Sequence, residues 1–203
     1  MSSLLCFVLM PFGKKSDNGG FFIDFDSVYY DLIFPAIEEA GLKPIRADEE
    51  KVGGIIHKPM FERLILCEYA VVDLTTANPN VFYELGVRHA ARPYSTVLLY
   101  AEGTKQLPFD VAPIRAIPYK LDSSGKPDQQ TNEKAKEILK KRLIEAQNPN
   151  TDSPIFQLVE GFPDIQHIKT DVFRERVKYS EELKKRLAQI ITQSPAKHLP
   201  SCR

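Results

Sequence analysis

Five short strand-like runs, spaced by stretches of helical pattern, constrain this chain more than any other feature. They are "LLCFVLM" (4–10), "KPIRAD" (43–48), "AVVDL" (70–74), "STVLLYAE" (95–102) and "IRAIPYKL" (114–121). The first is a continuous apolar run and the third an apolar strand that ends in Asp73, the pattern of strands covered on both faces. Between them lie helix signals. "FDSVYYDLIFPAIEEAG" (25–41) has Asp26 or Ser27 as a cap and Gly41 as a stop. Pro35 inside it is expected to kink or divide the helix. "GGIIHKPMFERLILCEY" (53–69) is a second helical region starting near Pro59, with Met60, Leu64 and Cys67 at helical spacing. "NPNVFYELGVRHAAR" opens a third, and "PFGKKSDNGG" reads as a loop. This alternation predicts an α/β fold, a doubly wound parallel five-stranded sheet with right-handed crossovers. The expected order is 2-1-3-4-5, with residues 7–10 and 70–73 as adjacent central strands.

The pattern changes after residue 121, which divides the chain into an α/β domain, 1–121, and a linker with a C-terminal helical extension packing on it, 122–203. "DSSGKPDQQ" is a polar linker. "NEKAKEILKKRLIEAQ" (132–147) is an amphipathic helix with Ala135, Leu139 and Leu143 on one face. "DVFRERVKYSEELKKRLAQII" (171–191) is a long charged helix whose stripe runs through Phe173, Val177, Leu183, Leu187 and Ile190. That stripe suits packing on its own domain, with a homo-oligomer or a regulatory protein partner as the alternative.

A length of 203 residues with 43% apolar and 27% charged residues is globular. The formal net charge of zero gives no expectation of nucleic acid or an anionic membrane as partner. The apolar opening runs for only about nine residues, too short to span a bilayer. Cys6, Cys67 and Cys202 lie far apart, without a CxxC pair, which fits a reducing cytoplasm and neither a disulfide framework nor a zinc site. The four histidines show no metal-ligand spacing with cysteines or carboxylates, so no metal and no resident cofactor are expected.

In a doubly wound sheet, ligands sit beyond the carboxyl ends of the strands. Runs one, two and three end there in "MPFG", "RAD" and "VVDLTTANPN". The first loop carries Gly13, Lys14, Lys15, Gly19 and Gly20, which would let backbone and cations approach phosphate. It lacks the Walker and GxGxxG spacings, so a surface loop is an equal alternative. Asp73 could bind a sugar hydroxyl or cap the turn through Thr75 and Thr76. Asn78 or Asn80 would cap the third helix. Glu84 then falls on its first or second turn, where the helix dipole favours a carboxylate and lowers its pKa. The alternative is an ordinary i,i+4 pair with Arg88.

The stretch "ADEEKVGGIIHKPMFERLILCEYAVVDLTTANPNVFYELGVRHA" resembles the group that joins nucleoside 2-deoxyribosyltransferases to Toll/interleukin-1-receptor (TIR) domains. The match covers about residues 3–120, and Asp73 to Ala90 is its most specific part. Across "CFVLMPFG", "LPFDVAPIRAIPY", "DSPIFQLV" and "KTDVFRERV" the chain resembles the bacterial version of the TRAFs-binding domain, named from apoptosis signal-regulating kinases. The resemblance implies a flavodoxin-like sheet and a glutamate, here Glu84, that attacks or stabilises the anomeric carbon of a ribose. The kinase relatives use the region for interaction, which implies the alternative of a catalytically silent ligand- or protein-binding module in a signalling or defence assembly.

On the enzymatic reading the substrate is a nucleoside or a nucleotide such as NAD. Cleaving its N-glycosidic bond develops a ribosyl cation, which a carboxylate can stabilise or trap as an ester. Glu84 takes that role, Asp73 holds ribose hydroxyls, and Asn80 orients Glu84 or the 2′ side of the sugar. Gly13 and Lys14 meet phosphate, and Arg46 and Asp48 reach the same crevice from the second strand. Arg88 serves a phosphate or balances Glu84, and Phe12, Tyr30, Phe82 or Tyr83 stacks on a base. His57 is a weaker candidate for a general acid, and His89 reads as structural.

Overall fold

The computed structural model describes residues 4–17, 19–47, 57–92, 94–103, 116–146 and 153–162. The elements in chain order are β1 (Leu5–Leu9), β2 (Lys14–Ser16), β3 (Phe22–Asp24), α1 (Phe25–Val28), a π-helical segment Tyr29–Ile33, α2 (Phe34–Glu39) and β4 (Lys43–Arg46). After these come α3 (His57–Leu66), β5 (Tyr69–Asp73), a 3₁₀ turn Thr75–Ala77, α4 (Pro79–Ala91), β6 (Thr96–Ala101) and β7 (Ile117–Tyr119). α5 (Gln129–Glu145) and α6 (Pro154–Leu158) follow. All fall within one compact unit, Met1–Ile165.

The main sheet has five strands in the order β4-β1-β5-β6-β7, every pair parallel. In strand sequence this is 2-1-3-4-5, as expected, and the fold is α/β and flavodoxin-like. β1 and β5 lie side by side at the centre, with Cys6 opposite Tyr69 and Val8 opposite Val71. Every residue of both strands is buried. That is why their sequences, Asp73 aside, are apolar in succession rather than alternating.

Strand parity sorts the two faces. Cys6, Val8, Tyr69, Val71, Val97 and Leu99 belong to one core cluster with Phe25, Val28, Tyr29, Ile33 and Ile37 of the first helical stretch and Leu139 and Leu143 of α5. α3 and α4 pack on each other, and α4 also packs on β1 and β5. Ala135, Leu139 and Leu143 are buried as the helical spacing requires, so α5 closes the same core as the sheet.

Local chemistry adjusts the expected elements. The glycine-rich segment after β1 holds a small antiparallel hairpin, β2 with β3, where a loop was expected. Asp17 forms its turn by accepting from the Gly19 and Phe21 amides, each at 2.8 Å, and Ile23 anchors it in the core. The cap of α1 is Asp24, not Asp26 or Ser27: its Oδ1 accepts from the Ser27 amide. At Pro35 the helical stretch changes type without leaving helical geometry. The turn before it widens to π geometry, and Pro35 sits in the first turn of α2, where a missing N–H costs little. Gly41 ends α2 at φ +78°, with Gly41 and Leu42 amides donating to Glu38 and Ile37 carbonyls. This is the two-bond arrangement of a Schellman stop. The fifth strand is shorter than expected, Ile117–Tyr119. The helix expected over 171–191 lies outside the described residues.

Candidate functional site

The chain leaves β1 toward β4 and later leaves β5 toward β6, on the other side. The order therefore switches between β1 and β5, and the space above their carboxyl ends is where sheets of this kind form their ligand crevice. α1 approaches it from one face of the sheet and α4 from the other.

α4 begins where Asn78 Oδ1 accepts from the Asn80 amide at 2.9 Å and the Val81 amide at 3.4 Å. Asn78 is thus the cap, and Asn80 is exposed one turn before Glu84. The inward stripe of α4 is Val81, Leu85 and Arg88, all buried. Glu84, three residues after Val81, lies at its margin and is half-buried. Among the described residues no hydrogen bond or ion pair reaches its carboxylate. Burial holds its pKa above the usual glutamate value. This reverses the lowering expected from the helix N-terminus, because loss of water outweighs the dipole.

The expected pairing of Arg88 with Glu84, or with a phosphate, is not what the fold builds. Arg88 is fully buried and donates to the carbonyls of Leu64 at 3.0 Å, Cys67 at 2.5 Å and Glu68 at 2.9 Å. It also reaches Thr96 Oγ1 at 3.2 Å and Ser95 Oγ at 3.4 Å. Arg92 adds bonds to the Ile65 and Leu66 carbonyls. Together the two arginines close the C-terminal end of α3, where carbonyls lack helical partners and the dipole is negative. In the sequence, Arg88 at i+4 from Glu84 looked like a surface partner, and nothing local announced the carbonyls 20 to 24 residues upstream.

Asp73 turns inward as well. It shares parity with Val71, which directs it toward the face covered by α5. Its Oδ1 accepts from the Thr75 amide at 2.9 Å and its Oδ2 from Tyr119 Oη at 2.8 Å. The side chain is fully buried, and burial raises its pKa against the lowering effect of Thr75 and Tyr119. Its role in this structure is to fix the turn after β5, one of the two roles its position allowed. The sugar-binding role would need an open oxygen that it does not have. Tyr119 was the missing signal, since it arrives from β7, 46 residues away.

On the other flank the structure joins Gly13, Tyr30 and Arg46 around a residue read only as a helix cap, Asp26. Arg46 Nη1 donates to Asp26 Oδ1 at 2.8 Å, and the Gly13 amide donates to the same oxygen at 3.2 Å. Gly13 adopts φ +67°, a conformation that suits glycine. The Arg46 guanidinium lies 4.5 Å from the Tyr29 ring centre and 5.5 Å from that of Tyr30. Lys14 is exposed, 3.9 Å from Asp24 Oδ2. Phe12, Tyr30 and Tyr83 are exposed aromatics, and Phe82 is half-buried. Asp48 lies outside the described residues, and so does the side chain of His57. His89 is buried, with its pKa lowered to about 4 by burial and by neighbouring Arg88.

Among the described residues no group of three His, Cys, Asp or Glu side chains is placed to hold a metal ion. Among them, too, no helix is long and apolar enough to cross a membrane. Neither a protein-family model nor a curated protein matches the chain.

Proposed function

We propose that the chain cleaves or transfers the N-glycosidic bond of a nucleoside or nucleotide, NAD being one candidate substrate, with Glu84 as the carboxylate at the anomeric carbon. The observation that carries this reading is the state of Glu84: half-buried and without a partner, on the helix that follows β5 at the switch point. A carboxylate on a structural helix surface finds a cation or faces water. One held partly out of water interacts more strongly with a developing positive charge. In the reaction, a Glu84 oxygen attacks C1′ as the bond to the base breaks. The base leaves with the bonding electrons and takes a proton from solvent. Water, or a second base, then releases the sugar from the ester. The resemblance to deoxyribosyltransferases and TIR domains supports the same assignment.

A second reading, a binding module without turnover, is favoured by one observation. Asp73, the residue expected to hold ribose, has both oxygens engaged inside the fold. Incubation with a panel of nucleosides and NAD, followed by chromatography for free base, separates the two readings. Base release that scales with protein supports the enzyme. Saturable binding with no base released over days supports the module.

A further inference from the structure

Asp26 lies in the first turn of α1, held by Arg46 at the end of β4 and by Gly13 after β1, at the carboxyl edge of the sheet. Both of its bonds, from Arg46 and from the Gly13 amide, fall on Oδ1. Among the described residues no hydrogen bond reaches Oδ2. The supporting guanidinium is deeply placed, with 5% of the Arg46 side chain exposed against 46% for Asp26. Stacking on Tyr29 keeps that guanidinium in place. Two donors on one oxygen hold the half-exposed carboxylate and leave the other oxygen without a hydrogen-bond partner. Such an oxygen accepts from hydroxyl groups and repels a phosphate.

We infer that Asp26 is the sugar-binding residue of the crevice, accepting hydrogen bonds from the ribose hydroxyls of a nucleoside whose anomeric carbon faces Glu84. The inference rests on the reading of the crevice as a nucleoside site. It gives Asp26 the task expected of Asp73, whose oxygens are committed elsewhere. It also gives a purpose to burying Arg46 beneath a half-exposed carboxylate: the arginine fixes the direction in which the acceptor points.

The test compares adenosine with 2′,3′-dideoxyadenosine as probes, titrated into the full chain by calorimetry. Wild type should bind adenosine about tenfold more tightly or better. Asp26→Asn keeps an oxygen for Gly13 and Arg46 but places an NH₂ donor where Oδ2 stood. It should weaken the preference at least several-fold while leaving dideoxyadenosine binding unchanged; the thermal midpoint falls, because the buried Arg46 loses the counter-charge of Asp26, and circular dichroism at the assay temperature confirms the fold. Asp26→Ser repeats the test should the amide misfold. A preference that survives in the folded variant overturns the inference, and so does a wild type that shows no preference or binds neither probe. Base release measured in parallel keeps the two claims apart. A preference lost in Asp26→Asn, with no base released by wild type, retains the sugar contact and removes the enzyme. Base release with the preference intact in the variant does the reverse.

Discussion

Replacing Arg88 by methionine removes the guanidinium and keeps most of the apolar stem. Three carbonyls and two hydroxyls lose a donor. The Glu68 carbonyl keeps the Ser95 hydroxyl, so the main losses are at Leu64 and Cys67. A buried acceptor stripped of its donor costs about 1–3 kcal/mol, which puts two of them near about 4 kcal/mol. Part of this is offset because a charge no longer has to be buried. About 3 kcal/mol remains, or about 6–12 °C in thermal midpoint for a domain of this size. Urea and thermal unfolding followed by circular dichroism measure it. Arg88→Lys should recover less than half, since a point ammonium cannot span the same set of acceptors. A loss below about 1 kcal/mol in Arg88→Met would show that these carbonyls do not depend on the arginine, and the account of how α3 ends would fail.

Two further outcomes follow from buried groups. The His89 pKa is lowered from 6.5 to about 4, so the unfolded chain takes up the proton first. Stability present above pH 6.5 is lost as pH falls toward 4, by about 3 kcal/mol, and His89→Phe should flatten that part of a pH–stability curve. Glu84 and Asp73, both raised, act in the opposite sense, since their protonation favours the fold. Gly125→Ala should cost about 2–4 kcal/mol by urea unfolding. Gly125 holds φ +78°, and a Cβ there would fall 1.9 Å from the Phe22 carbonyl oxygen.

The sheet was legible because its order follows from apolar runs and helix-length connections, both local in sequence. β1 identifies itself by being apolar at every position, β5 by being apolar up to Asp73, and α5 by the spacing of Ala135, Leu139 and Leu143. The site was legible only in part. Glu84 could be placed from the Asn78 cap and helical spacing. What surrounds it could not, because the partners of the other polar residues come from distant segments. Tyr119 reaches Asp73 across 46 residues, Arg88 reaches Leu64 across 24, and Arg46 reaches Asp26 across 20. A motif records which polar residues are present, while burial and strand parity decide which remain open to a ligand.

The most direct test of Glu84 is its exchange for glutamine, which keeps size and hydrogen bonding and removes the charge. With no partner to lose, the thermal midpoint should move by less than about 2 °C, equivalent to well under 1 kcal/mol. Removing a carboxylate that faces a ribosyl cation costs several kcal/mol of barrier lowering, about a hundredfold or more in rate. Base release from the most reactive nucleoside or nucleotide of the panel should therefore fall at least that far in Glu84→Gln at an unchanged midpoint. An undiminished rate in the folded variant would contradict the central claim.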